Sequence, residues 1–154
     1  MNHITIRPAL PEDVRPAMDF AQEMFLHFVL PDFEPPASER LRMHGESEEN
    51  IRQYQQGTQK MFVALDGTRI VGMVCERDGC HIRKLYVDPA YHRRGIAAAL
   101  MDAIFACMDS AVITVNSSRH GLPFYLKYGF VPTDTEQNKD GFIFTPMAYT
   151  KEHA

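Results

Sequence analysis

The amino-terminal segment Ile4-Thr5-Ile6-Arg7 alternates apolar and polar side chains, the period of a strand with one buried face, and Pro8 interrupts it. Pro11-Glu12-Asp13 then opens a helix, because proline loses nothing in a first turn and acids there face the positive end of the helix dipole. The apolar positions Val14, Met18, Phe25 and Phe28 return at helical spacing, which predicts a helix to about Leu30. Phe20, Met24 and Leu26 widen the stripe and suit either a broad core face or a pocket wall. After Pro31, Pro35 and Pro36, a second and more polar helix is expected over about 38–56 as a cap on the domain.

The apolar runs 61–65 and 70–74 flank Asp66-Gly67, a pair that supplies the positive backbone angles of a tight hairpin. Asp78-Gly79 repeats the device, so the strand over 80–87 completes three antiparallel strands. Strict alternation would put Ile82, Lys84 and Tyr86 on one face and His81, Arg83, Leu85 and Val87 on the other. Ile96, Leu100, Ile104 and Met108 recur every fourth residue, the core stripe of a helix beginning near Arg94. A β-branched strand over 112–115, a short helix over 122–128 stopped by Gly129, and strands over about 130–133 and 142–149 complete the order. These elements predict an α/β (α+β) fold in a single domain over 1–154. Its sheet is mixed and mostly antiparallel, with six to seven strands and helices on both faces.

Composition narrows the function. With 45% hydrophobic and 23% charged residues among 154, the chain is neither disordered nor fibrous. A net charge of −4 argues against a nucleic-acid partner. No apolar run approaches the roughly 20 residues that span a bilayer, and the first residues lack a long apolar leader. A cytoplasmic protein without membrane contacts is expected. Cys75, Cys80 and Cys107 form no Cys-x-x-Cys pair and the seven histidines no His-Glu-x-x-His, so no metal site is expected. Six acids lie between Asp32 and Asn50. They suit a cationic substrate or simply a solvated helix face.

The stretch Leu85-Tyr86-Val87-Asp88-Pro89-Ala90-Tyr91-His92-Arg93-Arg94-Gly95-Ile96-Ala97 carries the strongest chemistry. A strand runs into a cationic turn and directly into a helix whose free N–H groups and dipole can hold an anion, as for a diphosphate. Gly95 lets the backbone approach a ligand, Ala97 keeps the next turn thin, and Arg93 and Arg94 add positive charge. Neither a Walker loop nor a Gly-x-Gly-x-x-Gly loop is present. Some thirty residues later come Val115-Asn116-Ser117-Ser118 and Pro123-Phe124-Tyr125-Leu126-Lys127-Tyr128-Gly129-Phe130.

Together these segments resemble the GNAT superfamily of acetyl-CoA-dependent N-acetyltransferases, through Val-x-Pro-x-Tyr-x-x-x-Gly-Ile-Ala and Phe-Tyr-Leu-Lys-Tyr-Gly-Phe. The resemblance implies acetyl-CoA as co-substrate and transfer of its acetyl group to a primary amine by direct attack in a ternary complex. It places the family's Gln/Arg-x-x-Gly-x-Gly/Ala pattern on His92, Arg93, Arg94, Gly95, Ile96 and Ala97, with His92 departing from the usual Gln or Arg. Leu85, Tyr86 and Val87 match the splayed strand that lines pantetheine and offers a main-chain N–H to the acetyl carbonyl. The family's pantetheine-contacting Asn falls on Ser118 or, two residues earlier, on Asn116.

Tyr125 matches the tyrosine that protonates the departing thiolate, a role that suits a phenol protonated at neutral pH. His81 stands where some members carry a glutamate base, with Glu76, His120 and the acids of the capping helices in reserve. Arg119 or Lys127 can meet a nucleotide phosphate or simply solubilise the surface. A small-molecule amine is the expected partner, since the capping region leaves a short pocket. A protein amine and a non-catalytic acyl-CoA sensor are the alternatives. Phe142, Ile143, Phe144 and Met147 suit either core or a homodimer contact.

Overall fold

A computed structural model describes residues 3–152 of the chain. Strand β1 (Ile4–Pro8) leads into helix α1 (Pro11–Phe28), followed by helices α2 (Ala37–Met43) and α3 (Glu48–Gln56). Strands β2 (Met61–Asp66), β3 (Arg69–Arg77) and β4 (His81–Val87) form the expected antiparallel run. Helix α4 (Ile96–Phe105), strand β5 (Val112–Ser117), helix α5 (Leu122–Tyr128) and strands β6 (Val131–Pro132), β7 (Gln137–Lys139) and β8 (Phe142–Thr150) complete the chain. The strands stand in the order β1-β2-β3-β4-β5-β8-β6, with β7 paired to β8. Among the described residues only β4 and β5 pair in parallel.

The sheet has eight strands rather than six or seven. The additional one is β7, three polar residues joined to β8 through Asp140 and Gly141, which carry no apolar alternation to betray a strand. The single capping helix expected over 38–56 is two helices. Gly45 interrupts it, and the Ser47 hydroxyl caps α3 by accepting from the Asn50 N–H at 3.2 Å.

Two cores sandwich the sheet. On one face α1 and α3 bury Val14, Ala17, Met18 and Ile51 against Met61, Val63 and Met73. On the other, Ile96, Leu100, Ile104 and Met108 pack against Phe62, Ala64 and Val74, and each fully buried side chain contributes about 1.5–3 kcal/mol. Gly72 lets the helix sit close: a Cβ there would meet Leu100 at 3.2 Å and the Ala64 methyl at 3.3 Å. On β8, Ile143, Phe144 and Met147 are buried within the chain, the core role that the sequence allowed, while Phe142 is half-buried.

A bulge in β4 corrects the alternation. Cys75 pairs with Lys84 but Glu76 pairs with Ile82, leaving Arg83 as an extra residue. Leu85 and Val87 therefore join Ile82 on the α4 side, while Tyr86 packs towards α1 and α3.

The far side of the sheet is stitched to the segment after α1. Glu34 donates its N–H to the Gly141 carbonyl at 2.9 Å, and Ala37 to that of Asp140 at 3.0 Å. Gly141 has φ +94° and a Cβ there would collide with the Glu34 carbonyl oxygen, so no other residue fits.

Candidate active site

Strands β4 and β5 pair only at His81 with Thr114 and Ile82 with Val115, then part. From Arg83 to Val87 one edge of β4 has no strand beside it, which leaves main-chain groups free to meet a ligand. Two cavities open along this gap. The larger, of about 700 Å³, runs from Leu85, Tyr86 and Val87 to His92, Arg93, Gly95, Ile96 and Ala97, with Phe28 and Phe124 as walls. The smaller, of about 370 Å³, lies beneath α1, the segment around Gly45 and β8. They share Leu85, Tyr86, His120, Gly121 and Tyr125.

The end of the larger cavity is lined by a loop whose main-chain N–H groups are free. None of the backbone N–H groups from Arg93 to Ala98 donates to another described residue. Left-handed φ values of +66° at Arg93 and +74° at Gly95 turn the chain into the first turn of α4, where a Cβ on Gly95 would meet nothing within 4 Å. The Tyr91 hydroxyl ties this loop to the end of β2 by donating to Asp66 at 2.5 Å. The Arg94 guanidinium lies 5.0 Å from the centre of the Tyr91 ring and does not line the cavity. His92 contacts the Val87 carbonyl through Nε2 at 3.1 Å. Lys127 reaches this cavity, whereas Arg119 holds Glu136 at 2.7 and 2.8 Å.

Tyr125 stands at the junction. Its residue is 6% exposed, and its hydroxyl makes no hydrogen bond to any described residue yet is not sealed from the cavity. Burial, then the neighbouring Tyr86 and Cys75, raise its pKa above the ordinary phenol value, so it keeps its proton. Its ring packs edge-on to Phe130 at 5.4 Å. Gly121 and Ser118 support it from the start of α5, where the Ser118 hydroxyl accepts from the Gly121 N–H at 3.0 Å. Ser118 and Asn116 line the smaller cavity and not the larger one.

His81 and His120 both line the smaller cavity, and His120 also reaches the larger. His81 bonds Thr114 Oγ1 through Nδ1 at 2.7 Å. Burial, with Arg77 and Arg83 nearby, pushes its pKa down to about 4. His120 stacks on Phe28 at 4.8 Å, and burial followed by the charge of His92 lowers its pKa as well. Glu76 is committed elsewhere: its carboxylate accepts from the Lys60 N–H at 3.1 Å and the Gly79 N–H at 2.9 Å. The special place of His120 had no motif to mark it; only the meeting of α1 with the β5–α5 loop reveals it.

The acids of the 32–50 segment do not form a cation trap. Glu48 holds Arg15 at 2.9 Å and Glu49 holds Arg52 at 2.6 Å on the surface. Only Glu46 lines the smaller cavity. It faces Arg83 at 2.9 Å and Lys84 at 3.5 Å, and accepts from Asn50 at 2.6 Å. Burial alone would raise its pKa, but these partners hold it below the usual carboxylate value.

The family model of the acetyltransferase (GNAT) domain matches residues 29–151. The chain belongs to the GNAT acetyltransferase family. It is 35% identical over 71 residues to an uncharacterized N-acetyltransferase, YafP, of Escherichia coli, a match covering 46% of this chain and 45% of that protein. The chain thus spans about half the length of that curated relative. In fold, this GNAT chain is similar to a GCN5-related N-acetyltransferase from Rhodopseudomonas palustris, with TM-score 0.76, 23% identity and 98% of each chain covered. It is also similar to the PaiA N-acetyltransferase of Thermoplasma acidophilum, solved with coenzyme A, with TM-score 0.73, 20% identity and coverage of 97% and 99%. NAA60 of Arabidopsis thaliana, solved with a bisubstrate analogue, matches with TM-score 0.69, 16% identity and coverage of 97% and 100%. No helix among the described residues is long and apolar enough to cross a membrane.

Proposed function

We propose that this GNAT chain moves an acetyl group from acetyl-CoA to the primary amine of a small molecule, by direct attack in a ternary complex. The observation that carries the reading is the partnerless Tyr125 hydroxyl at the junction of two cavities. Acetyl-CoA supplies the activated thioester. The free amides of 93–98 fit its diphosphate and Lys127 its nucleotide phosphate, while Leu85, Tyr86 and Val87 line the arm. Main-chain donors on the open edge of β4 stabilise negative charge on the carbonyl oxygen. The amine enters from the smaller cavity, and Tyr125 gives its proton to the departing sulfur.

His120 accepts the amine proton, since it alone of the two histidines faces both cavities. His81 is the second candidate, acting through water from the smaller cavity. Roofing by the segment around Gly45 and by β8 favours a small acceptor over a protein surface.

Tyr125→Phe tests the mechanism. Turnover should fall about 10²-fold or more with coenzyme affinity unchanged. Unaltered turnover removes Tyr125 from the proton path. Coenzyme binding by the wild type, with no thiol released by any amine, would mark a sensor instead.

A further inference from the structure

The smaller cavity carries charge of the opposite sign to the chain. Arg77, Arg83 and Lys84 line it against the single carboxylate of Glu46, a local net charge of +2 with the histidines neutral, in a protein of net charge −4. Glu46 is shared between Arg83 at 2.9 Å and Lys84 at 3.5 Å, so it offsets one of them. The Arg77 guanidinium makes no ion pair or hydrogen bond to any described residue, while its backbone carbonyl accepts from the Cys80 N–H at 3.2 Å. The same cavity carries a continuous aromatic wall, in which Phe33 lies 5.7 Å from Phe25 and 4.9 Å from Phe142, and Phe142 lies 5.7 Å from Phe144.

A polyamine or a simple alkylammonium entering such a space meets repulsion with no carboxylate free to receive it. An amine that also bears an anion gains a charge-assisted contact, while its apolar part covers the phenylalanines. The cations further favour the uncharged form of the attacking nitrogen, which is the nucleophilic form.

We propose that the acceptor is a small amine carrying an anionic group, a carboxylate or a phosphonate, held by Arg77 and Lys84 with its apolar portion on the phenylalanine wall. This rests on the acetyl-transfer reading above. Arg77 is then a specificity residue for the acceptor.

Thiol release is measured with phenylalanine, its phosphonate analogue, phenylalaninamide, phenethylamine and spermidine. The two anionic amines should exceed the amide and phenethylamine at least about tenfold in kcat/KM, and the better of the two identifies the anion. Arg77→Gln should raise KM for the anionic amines about tenfold with kcat within about twofold, and leave the amide unaffected. Preference for the amide, phenethylamine or spermidine, or an equal effect of Arg77→Gln on charged and uncharged amines, overturns this inference alone. No release with any amine, while calorimetry shows coenzyme A bound, overturns the transfer reading and this inference with it.

Discussion

A methyl group on Gly121 would stand 3.1 Å from Cε2 of Tyr125 and 3.3 Å from the Ser118 hydroxyl oxygen, so the bare backbone at 121 sets how deep the Tyr125 ring sits. The backbone of Gly121 is right-handed, with φ −82°, and accepts any residue without strain.

Gly121→Ala is therefore a displacement experiment. The ring must shift by a few tenths of an ångström, and a misplaced proton donor costs rate more than it costs stability. We expect kcat to fall roughly tenfold with thermal stability and coenzyme affinity nearly unchanged. Full activity in this variant would mean that the hydroxyl tolerates movement and acts without strict geometry.

Gly95→Ala probes the loop of free amides over 93–98. Its Cβ has open space but its φ of +74° is strained for an L residue, at a cost of about 1 kcal/mol. The first turn of α4 should relax away from the ligand, weakening coenzyme A binding about fivefold to tenfold by calorimetry. Gly95→Asn, which tolerates the left-handed region better, should recover part of the loss. Equal binding by all three proteins would place the diphosphate elsewhere.

The pH profile separates the two histidines. A base works only when deprotonated, so the rate rises with pH through its pKa. For His81 that limb lies near pH 4 and activity is flat above about pH 5. For His120 the limb lies below the ordinary value of 6.5 and disappears in His120→Ala. Because His81 resists protonation in the folded state, its contribution to stability is intact above about pH 6.5. It is lost as pH falls from there towards about 4, since the unfolded chain takes up the proton first. A denaturation series across that window, in wild type and His81→Ala, reads this directly.

Local signals carried most of the fold. Gly67 and Asp78-Gly79 supply positive backbone angles at the hairpins, although the first turn falls on Gly67-Thr68 with Asp66 still paired in β2, the four-residue stripe from Ile96 to Met108 lies wholly in the core, and Gly129 ends α5. What escaped depends on partners distant in sequence. The bulge at Arg83 exists only in the register against Cys75 and Glu76, so alternation assigned Leu85 to the wrong face. Gly45 had too weak a signal to split a polar helix. The loop of free amides over 93–98 was legible because it is one continuous segment. The smaller cavity was not, since it draws Arg77 from β3, Lys84 from β4, Phe25 from α1 and Phe144 from β8. Counting acids along 32–50 suggested the opposite charge, because the ion pairs that engage them join residues up to 87 positions apart.

The hydrogen bonds that join Glu34 and Ala37 to the Asp140-Gly141 turn make two stretches of sequence a single inheritable piece. A chimaera that imports only one of them from a homologue strands the amides of the other and opens the roof over the acceptor. Exchanging 30–46 together with 137–144 is the graft that keeps both partners of each of these hydrogen bonds from one parent.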